Sequence, residues 1–544
     1  MDQNTLAINP LINIPRPNRG IWLYITAAII VIAILARAIP GPRTIDDSFI
    51  TYRYARNILA GNGFVYNPGE RVLGTTTPLY TILLVILGLL TGGVNAPFPI
   101  LSMGINALTD GLTCLLLLRL GRQLGSPLAG LGAALVWAIA PYSVTFAIGG
   151  LETSLYVMLL TGLVYSYIDE RYGLAWLCGA LSLLTRPDAL ILLGPLALDR
   201  FLQIGRASLR KTSGVHFWAV VGEALTFLVP CLSWIIFSAL YFGSPLPHSI
   251  SAKSLAYYLP GNAAFIRLLQ HYATPFLEHL TFGIPWITVG IVLYLFLFLV
   301  GAQHALRVKI HLWPWIAYPW LYFATFAIAN PLIFRWYLTP PLPAYIFFIL
   351  IGGEQIIQQI FRVKISETQL GSIRKNLATS LAFVLVVLAP AGLSLQGWTL
   401  HPDHGPDRPT PEMAYIKLEL LYRQAASLLS NELMTRSSTP LLAAGDVGVL
   451  GFYTGARILD TVGLNSPIST SYYPLDADLY TINYAIPPDL ILDQSPDYIV
   501  ILEVYGREGL LKDPRFHNAY HLRQKTPTDI YGSDGMLIFE KKSY

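Results

Sequence analysis

The sequence predicts a polytopic α-helical membrane protein that carries a small α/β domain at its C-terminal end. Hydrophobic residues make up 54% of the 544 positions and charged residues only 12%, whereas soluble domains carry about 25% charged residues. Many apolar runs are long enough, or nearly long enough, to cross a hydrocarbon layer of about 30 Å. The composition changes sharply near residue 398, where a polar, proline-rich segment begins.

The membrane domain is predicted over residues 1–397, with about eleven spanning segments. A further run, Leu79–Leu90, is about 12 residues long, a length typical of an interfacial or re-entrant segment. Two short spans flank the polar sequence "TRPD". The predicted spans are Ile21–Ile39, Ile100–Leu118, Leu128–Ile148, Thr153–Ile168, Leu174–Leu184, Ala189–Leu198, Phe217–Phe242, Pro285–Val300, Leu312–Ile328, Trp336–Ile351 and Leu377–Leu393.

Basic residues predict the topology, because short cytoplasmic loops accumulate Lys and Arg. If Leu79–Leu90 does not span, nearly every tight basic cluster falls on one side. The N-terminus lacks the pattern of a cleaved signal peptide, so we expect a retained cytoplasmic tail in the inner (plasma) membrane and an extracytoplasmic C-terminus. The residues that set this orientation are Arg16, Arg19, Arg119, Arg122, Arg171, Arg200, Arg206, Arg210, Lys211, Arg307, Lys309, Arg362, Lys364, Arg374 and Lys375.

Three outer regions follow: a first loop over residues 40–99, a second loop over 243–284, and a domain over 398–544. The domain starts with a proline-rich linker, continues with a helical pattern over Glu412–Arg436, and contains strand-like runs such as "PLLAA", "DYIVILE" and "GMLIFEKK". These alternating signals predict an α/β domain. The three cysteines lie inside apolar runs, so we expect small core residues and no disulfide framework.

The first outer loop holds the densest set of ionisable residues in a chain that is otherwise apolar. Asp46 and Asp47 precede the sequence "FITYRYARNIL", whose apolar and aromatic residues recur at helical spacing. One interpretation is helix capping, which Asp favours. The other is a general base, because burial and a neighbouring carboxylate raise the pKa of a carboxyl group.

The loop sequence "IDDSFITYRYARNILAGNGFVYNPGERVLGTTTPL" resembles the first-loop signature of the GT-C superfamily of membrane glycosyltransferases. The likeness is greatest to the branch that contains the mycobacterial terminal arabinofuranosyltransferase. It implies a GT-C fold and an inverting transferase that moves a pentose such as arabinofuranose, or a hexose, from a polyprenyl-phosphate donor. The acceptor would be a cell-envelope glycan, lipid or protein. Membrane lipids, and no nucleic acid, are the other expected partners.

In this superfamily an acidic residue of the first loop is the proposed base. Counting back from an Ala-Arg pair points to Asp47, whereas aligning the two aspartates with a common Asp-Glu pair points to Asp46; we favour Asp47 and keep both. The resemblance also places Glu152, in "AIGGLETSLY", near the donor phosphate or a metal. Two outer carboxylates facing one cavity can bind a divalent cation or acceptor hydroxyls. The alternative for Glu152 is an interfacial residue at a helix start.

The remaining candidates are polar or basic residues that could bind the donor phosphate. Arg186, in "LLTRPDALILL", could form charge-assisted bonds to phosphate or simply pair with Asp188, the second candidate for binding metal or acceptor. His248 and Lys253, in "PLPHSISAKS", could stabilise the leaving phosphate or be solvated. The other two are Arg335, alternatively an anchor in the aromatic belt, and Arg53 near the lipid headgroups.

Two other classes of function compete with a transferase. A transporter would place discontinuous helices at matching positions in two halves, but the sequence shows only the "TRPD" break. A non-catalytic partner of envelope assembly would have no need of Asp46, Asp47 and Glu152. A glycosyltransferase is therefore the function we expect, with a divalent cation as a candidate cofactor.

Overall fold

The computed structural model describes residues 19–209, 217–277, 284–361, 369–401, 404, 407–414, 417–435 and 440–542. The predicted cytoplasmic tail, with Arg16, and the basic residues Arg210, Lys211, Arg362 and Lys364 lie outside the described residues. A helical domain with several long apolar helices is followed by a small domain built on a β-sheet. The predicted fold class is confirmed.

Most of the first 395 residues form helices, named here in chain order. By length and composition, five described helices could cross a membrane, and a bent pair, α5 with α6, would make six. The count of about eleven spans therefore stays a prediction. The helices are α1 (Arg19–Ala38), α2 (Asp46–Leu59), α3 (Pro78–Thr91), α4 (Phe98–Gln123), α5 (Pro127–Ile139), α6 (Pro141–Ile148), α7 (Thr153–Ile168), α8 (Tyr172–Leu183), α9 (Leu190–Leu209), α10 (Phe217–Phe242), α11 (His248–Ala256), α12 (Ala263–Ala273), α13 (Ile284–Val308), α14 (Trp313–Ala329), α15 (Leu342–Ile360), α16 (Gln369–Phe383) and α17 (Ala389–Leu395).

Prolines alter two of the predicted spans. The run Leu128–Ile148 is broken at Ala140 into α5 and α6, which meet at 42°, because Pro141 lacks a backbone donor and forces the residue before it into an extended conformation. The run Trp336–Ile351 begins its helix only at Leu342. Its first residues form a 3₁₀ turn, and two prolines precede the helix.

The polar "TRPD" segment separates two helices, as its sequence predicts. Helix α8 ends at Leu183, Arg186 is extended (φ −154°, ψ 135°), and a 3₁₀ turn over Pro187–Ala189 leads into α9. In the first outer loop, α3 has 14 residues, about 21 Å of helix. That length is short of the hydrocarbon thickness, but α7 and α8 are also short helices, so the expectation that this segment does not span stays a prediction.

A buried ion pair fastens the N-terminal helices together. Arg37 and Asp110 are both fully buried, and their side chains approach to 3.0 Å. Asp110 also accepts hydrogen bonds from Trp137 Nε1 at 2.9 Å and Ser154 Oγ at 2.9 Å, while Arg37 donates to Ser143. Since buried charges need such partners, this network holds α1, α4, α5, α6 and α7 in one arrangement behind the first loop.

The C-terminal domain, called the outer domain here after its predicted side of the membrane, is a five-stranded mixed sheet flanked by helices. Its strand order is β4-β3-β5-β7-β6, with β3 parallel to β4 and β5, and β7 antiparallel to β5 and β6. Three strands fall on the predicted runs, and α18 falls on the predicted helical pattern. The strands are β3 (Leu441–Ala444), β4 (Arg457–Asp460), β5 (Tyr498–Leu502), β6 (Tyr520–Thr526) and β7 (Met536–Lys541); the helices are α18 (Lys417–Thr435), α19 (Gly448–Thr454), α20 (Pro488–Gln494) and α21 (Pro514–Ala519).

The segment predicted to be a proline-rich linker contains a small two-stranded sheet. Strand β1 (Trp398–His401) pairs antiparallel with β2 (Arg408–Pro411). The prolines of β2 are tolerated because both strands are edges. Arg43 Nη2 donates to the His401 carbonyl at 3.1 Å, so this segment is attached to the first loop.

Candidate active site

A cavity of about 670 Å³ lies where the two outer loops meet the break between α8 and α9. Five of the residues predicted from the sequence line it: Asp47, Glu152, Arg186, Asp188 and Lys253. They come from α2, the turn before α7, the helix break and α11, so the fold gathers residues that lie as much as two hundred positions apart. Threonines 75–77 and aromatic residues such as Tyr257 and Tyr337 complete the wall.

Asp47 points its carboxylate into this cavity. In the part of the chain that the structure describes, no group donates a hydrogen bond to it, and the charge that affects its pKa most is that of Lys253. Burial raises the pKa of the Asp47 carboxyl, and the Lys253 ammonium partly offsets the rise. A carboxylate with free lone pairs and a raised pKa is suited to accept a proton.

Asp46 has a different environment from its neighbour. Its Oδ2 accepts from Gly448 N at 2.8 Å, and its Oδ1 accepts from Val449 N at 2.8 Å. These are the first two residues of α19, so Asp46 satisfies the N-terminal donors of a helix in the outer domain. Burial and the charge of Asp446 raise the pKa of the Asp46 carboxyl, and the two backbone donors oppose that rise. Both oxygens are used to dock the outer domain.

Arg186 is held between two carboxylates at the helix break. Its Nε donates to Asp188 Oδ1 at 3.0 Å and its Nη1 to Glu152 Oε1 at 3.3 Å. Tyr322 supports Asp188 with a hydroxyl at 3.1 Å, and the guanidinium lies 4.8 Å from the centroid of the Tyr337 ring. Among the described residues nothing accepts from Nη2, so one edge of the guanidinium is available on a cavity wall.

Lys253 occupies the same cavity from the second outer loop. Helix α11 follows Pro247, and its backbone is fixed to the first loop by a hydrogen bond from His248 N to the Leu73 carbonyl at 2.8 Å. The ammonium lies 5.2 Å from the centroid of the Phe334 ring. A lysine ammonium in such a setting supplies a positive charge to an anionic ligand.

Three predicted phosphate ligands are not brought to this cavity. Arg53 donates instead to the Tyr66 carbonyl at 2.8 Å and to the Ala456 carbonyl at 2.7 Å, so it binds the outer domain. His248 and Arg335 do not line the cavity either. The imidazole of His248 is partly buried, which lowers its pKa.

The described residues do not gather a typical cation site. Glu152 and Asp188 both face Arg186, whose positive charge would repel a divalent cation bound to them. No group of three His, Cys, Asp or Glu side chains within the described ranges has the spacing of metal ligands. These residues therefore do not fit the candidate cation.

The first loop carries a second set of contacts, made with the outer domain. Tyr66 donates to the Val447 carbonyl at 2.7 Å, and Asn67 exchanges two hydrogen bonds with Ile458, at 2.9 and 3.0 Å. Arg56 covers the ring of Phe452 at 4.0 Å from the centroid. Much of the motif that resembles GT-C enzymes therefore binds the outer domain, which the sequence did not predict.

Asp446 lies two residues after β3, and Asp460 is the last residue of β4; neither is among the site residues predicted from the sequence. Asp460 accepts from the backbone of Val462, Gly463 and Asn465 and shapes a turn. Asp446 lies instead beside a smaller cavity next to Asp47. The signal available in the sequence was the position after a buried strand, where ligand-contacting residues often occur.

Comparison with known proteins gives two partial matches in sequence. Residues 414–539 match the family model described as "Domain of unknown function (DUF8728)". The terminal β-(1→2)-arabinofuranosyltransferase of Mycobacterium tuberculosis is 36% identical over 161 residues, which are 28% of this chain and 24% of that protein. The matched region thus spans about a quarter of the length of that curated relative.

Two solved structures extend over nearly the whole chain. ArnT from Cupriavidus metallidurans, bound to undecaprenyl phosphate, has a TM-score of 0.54 and 12% identity and covers 96% of this chain and 98% of its own. The Archaeoglobus fulgidus oligosaccharyltransferase, tethered to an acceptor peptide, has a TM-score of 0.53 and 12% identity. The match covers 96% of this chain and 74% of the oligosaccharyltransferase chain. The chain therefore shares the fold of these two structures, as the GT-C resemblance of its first loop predicts, and carries a small α/β domain at its C-terminal end.

Proposed function

We propose that the chain is an inverting glycosyltransferase that moves a sugar from a polyprenyl-phosphate lipid to a hydroxyl group of a cell-envelope glycan, lipid or protein. The observation that carries this proposal is the meeting of Asp47, a carboxylate to which no described group donates a hydrogen bond, with two cations, Arg186 and Lys253, around one cavity. A carboxylate to take a proton and cations to hold a leaving phosphate are the two requirements of this transfer.

Asp47 acts as the general base. The acceptor oxygen attacks the anomeric carbon of the donor, its proton passes to the Asp47 carboxylate, and the bond from that carbon to the phosphate oxygen breaks. The electron pair leaves with the polyprenyl phosphate, and attack from the opposite face inverts the anomeric centre. General-base catalysis of this kind contributes about 10²- to 10⁴-fold to a rate.

Arg186 and Lys253 bind the phosphate of the donor. Arg186 presents its Nη2 edge, since Nε and Nη1 are engaged by Asp188 and Glu152. The two carboxylates hold the guanidinium in one orientation, so its remaining donors need no reorganisation when charge develops on the phosphate. Glu152 and Asp188 are thus positioning residues for Arg186, and not ligands of the donor.

The reaction faces the outer aqueous side of the cell membrane in this proposal. The basic clusters predict a cytoplasmic side opposite the loops that build the cavity. Exposed apolar side chains on α10, including Leu225, Val229 and Ile236, give the helical domain a surface suited to lipid. The polyprenyl chain would lie along such a surface while its headgroup enters the cavity.

The test is transfer by the purified protein in nanodiscs. Polyprenyl-phosphate arabinofuranose and polyprenyl-phosphate mannose are supplied in turn with synthetic arabinoside and mannoside acceptors, and products are read by mass spectrometry and NMR. We expect one donor to give a new glycosidic bond with inverted configuration, together with free polyprenyl phosphate. Movement of the lipid-linked sugar across vesicles, with no bond formed from either donor, would instead indicate a transporter.

A further inference from the structure

A second cavity, of about 230 Å³, lies beside the large one. Its floor is the start of α2, one wall is α11, and the opposite wall is the outer domain. The outer domain contributes Asp446, Tyr484, Tyr505 and Tyr531 to this wall. The proposed transfer reaction has no role for these four residues.

The two cavities share a boundary at the proposed base. Asp47, Lys253 and Tyr257 line both, together with Ile50, Leu332 and Leu464. A group held in the small cavity and a group held in the large one would therefore meet at Asp47. This is the geometry that a two-substrate reaction needs, because the donor and the acceptor must approach one base from different sides.

Asp446 offers an acceptor atom to the small cavity. The hydroxyls of Tyr422 and Tyr505 both donate to its Oδ2, at 2.9 and 3.3 Å. No donor to Oδ1 is found among the residues that the structure describes. Burial raises the pKa of Asp446 to about 6. Because two tyrosines fix the carboxyl group through one oxygen, the other is presented in a defined direction.

Aromatic rings form the rest of the outer-domain wall. The rings of Tyr484 and Tyr505 pack edge to face, with centroids 5.0 Å apart. Tyr531 is 60% exposed at the cavity and has a left-handed backbone conformation (φ 56°, ψ 23°). A bulky residue rarely adopts that conformation, and strain of this kind clusters at ligand-binding positions. Aromatic faces beside a hydrogen-bonding carboxylate suit a ligand with both apolar faces and hydroxyl groups.

We propose that the small cavity is the acceptor subsite and holds one neutral sugar ring, with Asp446 Oδ1 accepting a hydrogen bond from a ring hydroxyl and Tyr531 covering a ring face. The inference rests on the proposed glycosyltransferase function and deepens it. It places the acceptor sugar on the outer domain and directs another of its hydroxyls towards Asp47.

The charges at the cavity select a neutral ring over an anionic one. The carboxyl groups of Asp46, Asp47 and Asp446 line it, together with the ammonium of Lys253, and the positive charge of Arg335 acts on Tyr531 in its wall. A uronic acid would bring a further carboxylate towards Asp446, and like charges at close range are unfavourable. The acceptors that fit are therefore neutral pentoses or hexoses at the end of a glycan or glycoside.

Binding of simple glycosides tests the subsite without any donor. The probes are methyl arabinofuranoside, methyl mannoside and methyl glucuronoside, added to the protein in nanodiscs and followed by saturation-transfer NMR. We expect the neutral glycosides to bind and the glucuronoside to bind about tenfold more weakly. Equal or tighter binding of the glucuronoside would overturn the assignment to a neutral sugar.

Two variants and a matched control locate the binding. Asp446→Asn keeps an acceptor for the tyrosines but replaces the free oxygen by a donor, and Tyr531→Ala removes an exposed ring. We expect each variant to weaken the binding of neutral glycosides about tenfold. Asp493→Asn is the control and should leave this binding unchanged. Asp493 also accepts a hydrogen bond from a tyrosine hydroxyl, at 2.9 Å, but it lines neither cavity.

The subsite assignment would be overturned if the wild-type protein bound no glycoside, or if neither variant changed the glycoside binding of the wild type. Binding of undecaprenyl phosphate, measured on the same samples, should be equal in Asp446→Asn and wild type. If this variant loses lipid binding to the same extent as glycoside binding, the substitution acts on the fold, and the assignment is overturned. Failure of the proposed function gives a different pattern, in which glycosides bind at Asp446 but no polyprenyl-phosphate sugar is transferred.

Discussion

Asp46 and Asp47 are neighbours in the sequence, yet they lie on different sides of α2 and contact different parts of the molecule. Consecutive helical residues are about 100° apart around the axis. Asp46 binds two backbone N–H groups of the outer domain, while Asp47 faces the cavity beside Lys253. Two adjacent acidic residues in a motif can therefore have separate roles, one in docking and one proposed for catalysis.

The same division applies to the whole first loop. The residues that make its sequence recognisable, such as Arg53, Tyr66 and Asn67, bind the outer domain, and the cavity uses few of them. One side of the loop is therefore a docking surface, and the other is the proposed reaction surface. Variants on the two sides should separate stability from turnover.

The largest effect is expected from Asp47→Asn. The amide keeps the size of the side chain but cannot accept a proton as a carboxylate does, so transfer should fall by about 10³-fold. Thermal unfolding should stay within about 2 °C of wild type, since no described group hydrogen-bonds to Asp47. Transfer assays and melting curves in nanodiscs check both numbers; a large drop in melting temperature would mean that Asp47 is a structural residue.

Gly448→Ala tests the docking side. A Cβ at this position would lie 1.8 Å from the Asp46 carbonyl oxygen, so α19 must move away from α2. We expect the outer domain to be destabilised by about 3 kcal/mol and to become sensitive to proteases. Gly392→Ala is the control, because a Cβ there meets nothing within 4 Å. Equal protease resistance in both variants would argue against a close helix contact.

Arg186→Lys tests how the phosphate is held. Lysine keeps the positive charge between Glu152 and Asp188 but loses the fork of donors. The affinity for undecaprenyl phosphate should fall by about 30-fold, as measured by equilibrium binding in nanodiscs. Arg53→Lys is the comparison on the docking side, and it should leave that affinity unchanged while lowering stability. If Arg53→Lys lowered the affinity for undecaprenyl phosphate and Arg186→Lys did not, the assignment of Arg186 to the phosphate would be wrong.

The smallest effect concerns the pH dependence of transfer. Asp47 must be deprotonated to act as a base, so the rate should fall as the pH drops through its raised pKa, above the ordinary value of 3.8. Lys253 lowers that pKa. Its removal in Lys253→Gln should move the acidic limb of the profile to higher pH, in addition to weakening the binding of the donor. If the acidic limb of Lys253→Gln shifted to lower pH, the Lys253 ammonium would not be the group that lowers the pKa of Asp47.

The sequence predicted the helical fold, the helix break and five residues of the cavity, because each has a local signal. Apolar runs identify membrane helices, and charged residues beside them need a polar site. It could not assign Arg53, since a basic residue looks the same whether it binds phosphate or the carbonyl of Ala456. The docking of the outer domain and the role of Asp446 depend on contacts between residues some 400 positions apart, for which a single sequence carries no pattern.

The most direct test of the two-sided loop compares Asp46→Asn with Asp47→Asn in one transfer assay, with the protease resistance of the outer domain measured on the same samples. Asp46→Asn should lower the stability of the docked domain by about 1–3 kcal/mol and retain most of the turnover. Asp47→Asn should resist protease like wild type and transfer sugar at least about 100-fold more slowly than Asp46→Asn. Equal rates in the two variants, or a slower rate in Asp46→Asn with its outer domain still docked, would contradict the assignment of Asp47 as the base.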